Sequence, residues 1–232
     1  MIPLSVLLAL TQQCAPGVAS ATMAAVVGVE SAFNPWAIGV VHGRLARQPR
    51  NFGEARATVR ALEAAGWNYS AGLAQVNRSN WARLNLTPDT VFEPCRNLAA
   101  GAAVLQACFG RARRLPMHAH AQDALRAALS CYASGDFSAG YRTGYVQRVV
   151  AEAARVLAIV PAIGPGVVTG VVTGVVPAVE PDTPPIPVIA VDPASAPTAI
   201  PQPAASLRHP GSRTDRPQSP PGEPAQDSAV VF

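Results

Sequence analysis

Up to residue 157 the apolar positions recur mostly at helical spacing. Met23, Val26, Val27 and Glu30 fall at i, i+3, i+4 and i+7 of a helix that Ser20 or Thr22 can cap and that Asn34-Pro35 stops, near Phe33. A second helix is predicted over 53–66, with Gly66 as its C-terminal stop. Residues 95–114 place Leu98, Ala102, Leu105 and Cys108 on one face of a long helix. Further helices are predicted over 122–133, ending at Ser134-Gly135, and over 141–157, with Tyr145, Val149 and Val156 on one stripe. Between them, "RLARQPRN" reads as a loop, and "NYSAGLAQVN" (68–77) as a short strand or turn around Gly72. Helices predominate, and the short segments that join them hold the unusual residues. Connections carried on a rigid scaffold are where function tends to reside.

The periodicity ends near residue 157. Residues 157–232 hold 16 of the 23 prolines and a single aromatic, Phe232. Such a composition cannot bury enough apolar surface to offset chain entropy. The expected division is a folded domain over 1–157 and a Pro-rich, low-complexity, disordered tail over 158–232. An apolar stretch at 156–179 is long enough to span a membrane, but Pro161, Pro165, Pro177 and four glycines interrupt it. A linker is therefore favoured over a membrane anchor. "MIPLSVLLAL" is apolar without a positive leading region, which leaves open a short export signal or the first helix of the domain.

Charge divides at the same place. Residues 1–156 carry 15 arginines against 8 acids, and the remainder carries 3 against 6, with no lysine anywhere. A basic domain suits a polyanionic partner such as nucleic acid, anionic lipid or cell-wall polymer. No basic cluster interleaved with aromatics marks nucleic acid, so that partner is not expected. Cys14, Cys95, Cys108 and Cys131 all lie in the domain and form no C-x-x-C pair. Their even number fits two disulfides in an oxidising compartment, with three pairings open; the alternative is four buried thiols. The four histidines are scattered, without H-E-x-x-H, and no G-x-S-x-G exists. Metal ligation is therefore not expected, and nothing marks a serine hydrolase.

Glu30 is then the anomaly, a carboxyl at the inward end of an apolar stripe. Burial disfavours its charged form and raises its pKa, which suits a general acid. The plainer alternative is a side chain turned to solvent or paired with an arginine. Among the other acids, Glu54 and Glu63 lie among arginines on a helix, and Asp89 reads as a helix-start residue. Asp136, directly after Ser134-Gly135, is the one plausible second carboxylate, against a simple turn residue. Without further context, Tyr132 and Tyr145 read as core aromatics.

In chain order, "ESAFNP", "GLAQVN" (72–77), "CYASG" (131–135) and "YVQRV" (145–149) resemble the lytic transglycosylases of the lysozyme-like superfamily. "CAPGVA", "VESAFNPWAIGVV", "GRLARQP", "GWNYSAGLAQVNR" and "ALRAALSCYASGDF" resemble one branch of it, the specialised transglycosylases of type IV secretion systems. The resemblance covers residues 11 to about 152 and leaves out the tail. It implies a mainly α, lysozyme-like α+β domain with a small β-hairpin region. It implies Glu30 as the catalytic acid, with Ser31 hydrogen-bonding near it. Gln75 and Asn77 would line a sugar groove, with Gly72 allowing close backbone approach. Tyr132 and Tyr145 would flank the glutamate, and Ser134 and Gly135 would form the groove wall. Ala133 departs from the pattern, where Asn is common.

The activity implied is cleavage of the β-1,4 bond between N-acetylmuramic acid and N-acetylglucosamine, leaving a 1,6-anhydro ring, without metal or cofactor. Peptidoglycan and secretion-system components would be the partners and the periplasm the location. Two rivals remain: a hydrolytic muramidase, with Asp136 as its base, and a wall-binding scaffold acting through the tail.

Overall fold

The structure, a computed structural model, describes residues 1–159 and 183–191. The expected membrane-length stretch at 156–179 and most of the tail lie outside those residues. Among the described residues, no helix is long and apolar enough to cross a membrane.

Five helices make the larger part of the core. They are α1 (Leu4–Cys14), α2 (Ser20–Ser31), α4 (Pro94–Ala112), α5 (Ala121–Ser134) and α7 (Tyr145–Ile159). The strongest packing is α4 on α5 and α2 on α7, with α1 against α2 and α4. Met23, Val26 and Val27 are fully buried, as the stripe ending in Glu30 predicts. So are Leu98, Ala102, Leu105 and Cys108 on α4, and Tyr145, Val149 and Val156 on α7. Each large buried aliphatic of this kind contributes about 1.5–3 kcal/mol of burial. "MIPLSVLLAL" supplies α1, whose Leu7 is in the core and whose Cys14 is bonded to Cys95 at the start of α4. A second disulfide joins Cys108 on α4 to Cys131 on α5. Two disulfides were expected, and these are their pairings.

A smaller β region follows α2. Strands β1 (Ile38–Val40), β3 (Tyr69–Ala71) and β4 (Val76–Asn77) form an antiparallel sheet in the order β1-β3-β4. Helix α3 (Phe52–Ala64) crosses between β1 and β3, capped by the Asn51 side chain, which accepts from Glu54 N at 2.9 Å. The strand or turn predicted over 68–77 is thus the β3–β4 hairpin.

Three elements differ from expectation. Helix α2 stops at Ser31 because Ala32 and Phe33 both turn left-handed, at φ 49° and 63°. The single helix predicted over 141–157 is two, α6 (Ala139–Arg142) and α7, broken at Gly144, whose φ of +72° no helix allows. The "RLARQPRN" loop region contains β2 (Gly43–Leu45), which pairs with β5 (Val188–Ala190). Expectation of an unstructured tail therefore does not extend to residues 183–191.

Candidate active site

Glu30 lies in the last turn of α2, where the helix meets the N-terminus of α7. The Gly144 break starts α7 at Tyr145, and the Tyr145 hydroxyl donates to Glu30 Oε1 at 2.6 Å. Burial raises the Glu30 pKa from 4.5 to about 7. The Tyr145 hydrogen bond and the nearby Arg148 charge act in the opposite sense without cancelling it. Arg148 is held over the Tyr145 ring, 6.0 Å from its centroid, and donates to Thr143 O at 3.0 Å.

The loop between β3 and β4 is linked to this corner through Tyr132, which senses the Glu30 charge. Gly72 takes φ +83°, and a β-carbon there would stand 2.2 Å from Asn97 Nδ2. Asn97, fully buried on α4, accepts from Ala74 N at 2.7 Å and donates to Ala71 O at 3.0 Å and Val91 O at 2.8 Å. Gln75, at φ 45°, donates to Ala37 O and Gly72 O, both at 2.9 Å. The Tyr132 hydroxyl donates to Ala74 O and so ties α5 to the same loop. Burial and the neighbouring Glu30 push the hydroxyls of Tyr132 and Tyr145 well above their usual range, so both stay protonated donors.

A groove of about 390 Å³ opens beside this loop. Gln75, Asn77, Tyr132 and Gly135 line it together with Arg83, Arg111, Arg114 and the Cys108–Cys131 disulfide. Arg111 donates to Cys131 Sγ at 3.7 Å and stacks over Phe137. Asn77 reaches the groove, but its amide is engaged: it donates to Asn68 Oδ1 at 2.9 Å and accepts from Ser79 N and Oγ.

Two expected positions are engaged elsewhere. The Ser31 hydroxyl donates to Val27 O at 3.1 Å, back along its own helix, and not to Glu30. Ser134 is buried, and its hydroxyl donates to Ser130 O at 2.8 Å and to Asp136 O at 3.1 Å, inside the turn and off the groove wall. Asp136 is exposed, and its Oδ1 accepts from Ser138 N, Ser138 Oγ and Ala139 N at 2.6–2.8 Å, which holds its pKa down. It holds the turn that leads into α6, as the turn alternative had it. Ala133 is buried and offers no polar group.

Sequence reasoning missed Asn97 and Arg148. Asn97 carried the same signal as Glu30, a polar residue among Leu98, Ala102 and Leu105 on a buried helix face.

A mainly helical core, a small antiparallel sheet and a half-buried carboxylic acid at their junction define a lysozyme-like scaffold. The chain belongs to the transglycosylase SLT domain family, whose model matches residues 8–150. It is 54% identical over 136 residues to the type IV secretion system protein virB1 of Brucella abortus (strain 2308), covering 59% of this chain and 57% of that one. The Brucella suis biovar 1 (strain 1330) protein of that name matches equally. Protein virB1 of Agrobacterium fabrum (strain C58 / ATCC 33970) is 34% identical over 138 residues, covering 58% of this chain and 54% of that one. The chain thus spans little more than half the length of these relatives. No solved structure matches it.

Proposed function

We propose that the protein is a periplasmic peptidoglycan lytic transglycosylase that opens the wall locally for a type IV secretion system. The single observation that carries this is Glu30, a carboxyl raised to about 7 by burial and held by the Tyr145 hydroxyl. In the first step Glu30 gives its proton to the glycosidic oxygen between N-acetylmuramic acid and N-acetylglucosamine, and the C1–O bond breaks. In the second, the Glu30 carboxylate takes the proton of the muramic C6 hydroxyl as that oxygen bonds to C1. The 1,6-anhydro ring closes and the glutamate is again protonated. The nucleophile belongs to the substrate, so no second carboxylate or positioned water is needed. Two-carboxylate hydrolysis has less support, because the exposed Asp136 is engaged within the turn before α6.

Arg83, Arg111 and Arg114 along the groove suit a polymer whose peptide stems carry carboxylates. Two disulfides suit an oxidising compartment. The secretion-system role rests on the similarity to the virB1 proteins.

The test is mass spectrometry of fragments released from purified peptidoglycan by the full chain and by Glu30→Gln. Products ending in 1,6-anhydromuramic acid, absent with the variant, are expected. Reducing-end products would establish a muramidase instead. Release by the variant would overturn the assignment of Glu30.

A further inference from the structure

Residues 183–191, TPPIPVIAV, lie on the β region through an ordered set of contacts. The antiparallel register sets Gly43 opposite Ala190, Arg44 opposite Ile189 and Leu45 opposite Val188. Beyond those pairs, Ala46 N donates to Pro187 O at 3.0 Å, and Val191 N donates to His42 O at 3.2 Å. Ile186 N donates to the buried Thr58 hydroxyl of α3 at 3.0 Å. The Ile186 side chain is 5% exposed, and Val188 packs against the core. Pro187 and Ile189 face outward, so the segment alternates from Ile186 to Ile189 before Ala190 too is exposed. Pro185 and Ile186 line a cavity of about 300 Å³ together with Leu62, Ala65 and Trp67 of the domain.

We propose that the β2 edge and the α3 face form a peptide-docking site, and that its ligand is the chain's own segment 183–191, held as a displaceable strand. The site takes an extended, proline-flanked apolar peptide by strand addition: main-chain bonds hold it, and pockets for alternate side chains select it. The prolines fit both demands. Their fixed φ keeps the free segment extended, which lowers the entropy lost on docking. Pro187 pairs with Ala46 at the end of the ladder and accepts from Ala46 N; its missing N–H leaves only the carbonyl of the exposed Ala46 to solvent. Docking also covers the bonding groups of β2, an edge otherwise open to foreign strands.

The contact is small, a few ladder bonds and one buried isoleucine. The tether makes that sufficient. Twenty-three residues, 160–182, connect α7 to the strand. A linker of this kind gives an effective concentration on the order of millimolar. Nine-tenths occupancy in cis then needs a dissociation constant no weaker than about 0.1 mM for the free peptide. At that limit the segment exchanges readily with a competing peptide. By this reading residues 183–191 are pinned to the domain at the β2 edge.

The test uses the full chain and two variants, Ile186→Asp and Ile189→Pro. Alternation along the ladder makes Arg44 and Ile189 the pair that exchanges both bonds, and Ile189 is 41% exposed, so the second variant changes the backbone donor without touching the core. Amide exchange at Ala46 is the readout. Protection at Ala46 in the wild type, at least tenfold faster exchange in both variants, and its recovery in Ile186→Asp on adding the free nonapeptide TPPIPVIAV at about 1 mM are expected. Equal exchange in all three chains would overturn the proposal. So would failure of the nonapeptide to restore protection. Protection lost on dilution, in step with dissociation of a dimer, would assign the strand to a second copy and overturn the cis arrangement.

Discussion

A carboxyl group that gives a proton and then takes one back works best when its two forms are nearly equal in energy at the working pH. Burial places Glu30 there, at about 7, with the Tyr145 hydroxyl as a counterweight. Two outcomes follow at this scale. Tyr145→Phe removes a hydrogen bond that lowers the Glu30 pKa, so the alkaline limb of the peptidoglycan cleavage profile should move to higher pH while the rate falls. An unmoved limb would mean that Tyr145 only packs. The second concerns stability. Between about 4.5 and 7 the folded Glu30 holds a proton that its unfolded counterpart has lost, so folding weakens as pH rises through that window. The cost is complete above it and amounts to up to about 3 kcal/mol. Denaturant titrations should find Glu30→Gln more stable than wild type at pH 8 and equal to it near pH 4. Glu30 was legible in the sequence because a charge on an apolar stripe breaks a pattern. The hydroxyl partners of Ser31 and Ser134 were not, since either side chain can bond to carbonyls of its own turn, and local backbone geometry decides which.

At the scale of elements, the β3–β4 loop is held by one clamp. Gly72 brings the backbone against Asn97, and Asn97 satisfies Ala74 N–H and the carbonyls of Ala71 and Val91. Asn97→Leu leaves three buried polar groups unpaired and should cost about 3 kcal/mol or more. Gly72→Ala adds a β-carbon at a left-handed φ, against the Asn97 amide, at a similar cost. Because the two residues share one contact, Gly72→Ala in an Asn97→Ala background should cost less than it does alone. A double-mutant cycle in denaturant would check this; strict additivity would mean that the clash is relieved elsewhere. The helices were legible to within a few residues because each buries a continuous stripe. The Gly144 break and two strands were not. The Gly144 break lies inside an apolar pattern that continues on both sides of it. Strands β2 and β5 are three residues each and exist only through pairing with one another across most of the chain, which no local period records.

The whole molecule depends on its two cross-links to different degrees. Cys14–Cys95 closes a separation of 81 residues and joins α1 to the start of α4. Cys108–Cys131 closes 23 residues and lies in the groove wall beside Arg111. Loop-closure entropy assigns them about 4.5 and about 3.5 kcal/mol, large beside the 5–15 kcal/mol that holds a typical domain. Four cysteines in the sequence gave the number of bridges; the pairing required the helices to be brought together, since three arrangements share the same composition. Position separates their consequences. Replacing Cys14 and Cys95 by serine should lower the denaturation midpoint more, yet leave kcat/KM on peptidoglycan within about twofold wherever the domain stays folded, because that bridge is remote from the groove residues. Replacing Cys108 and Cys131 should cost less stability but raise KM, since it frees the α5 turn carrying Tyr132 and Gly135 from the α4 segment carrying Arg111 and Arg114. Paired denaturation and cleavage measurements on the two double variants decide the matter. Equal kinetic losses would show that both bridges act only by holding the domain together.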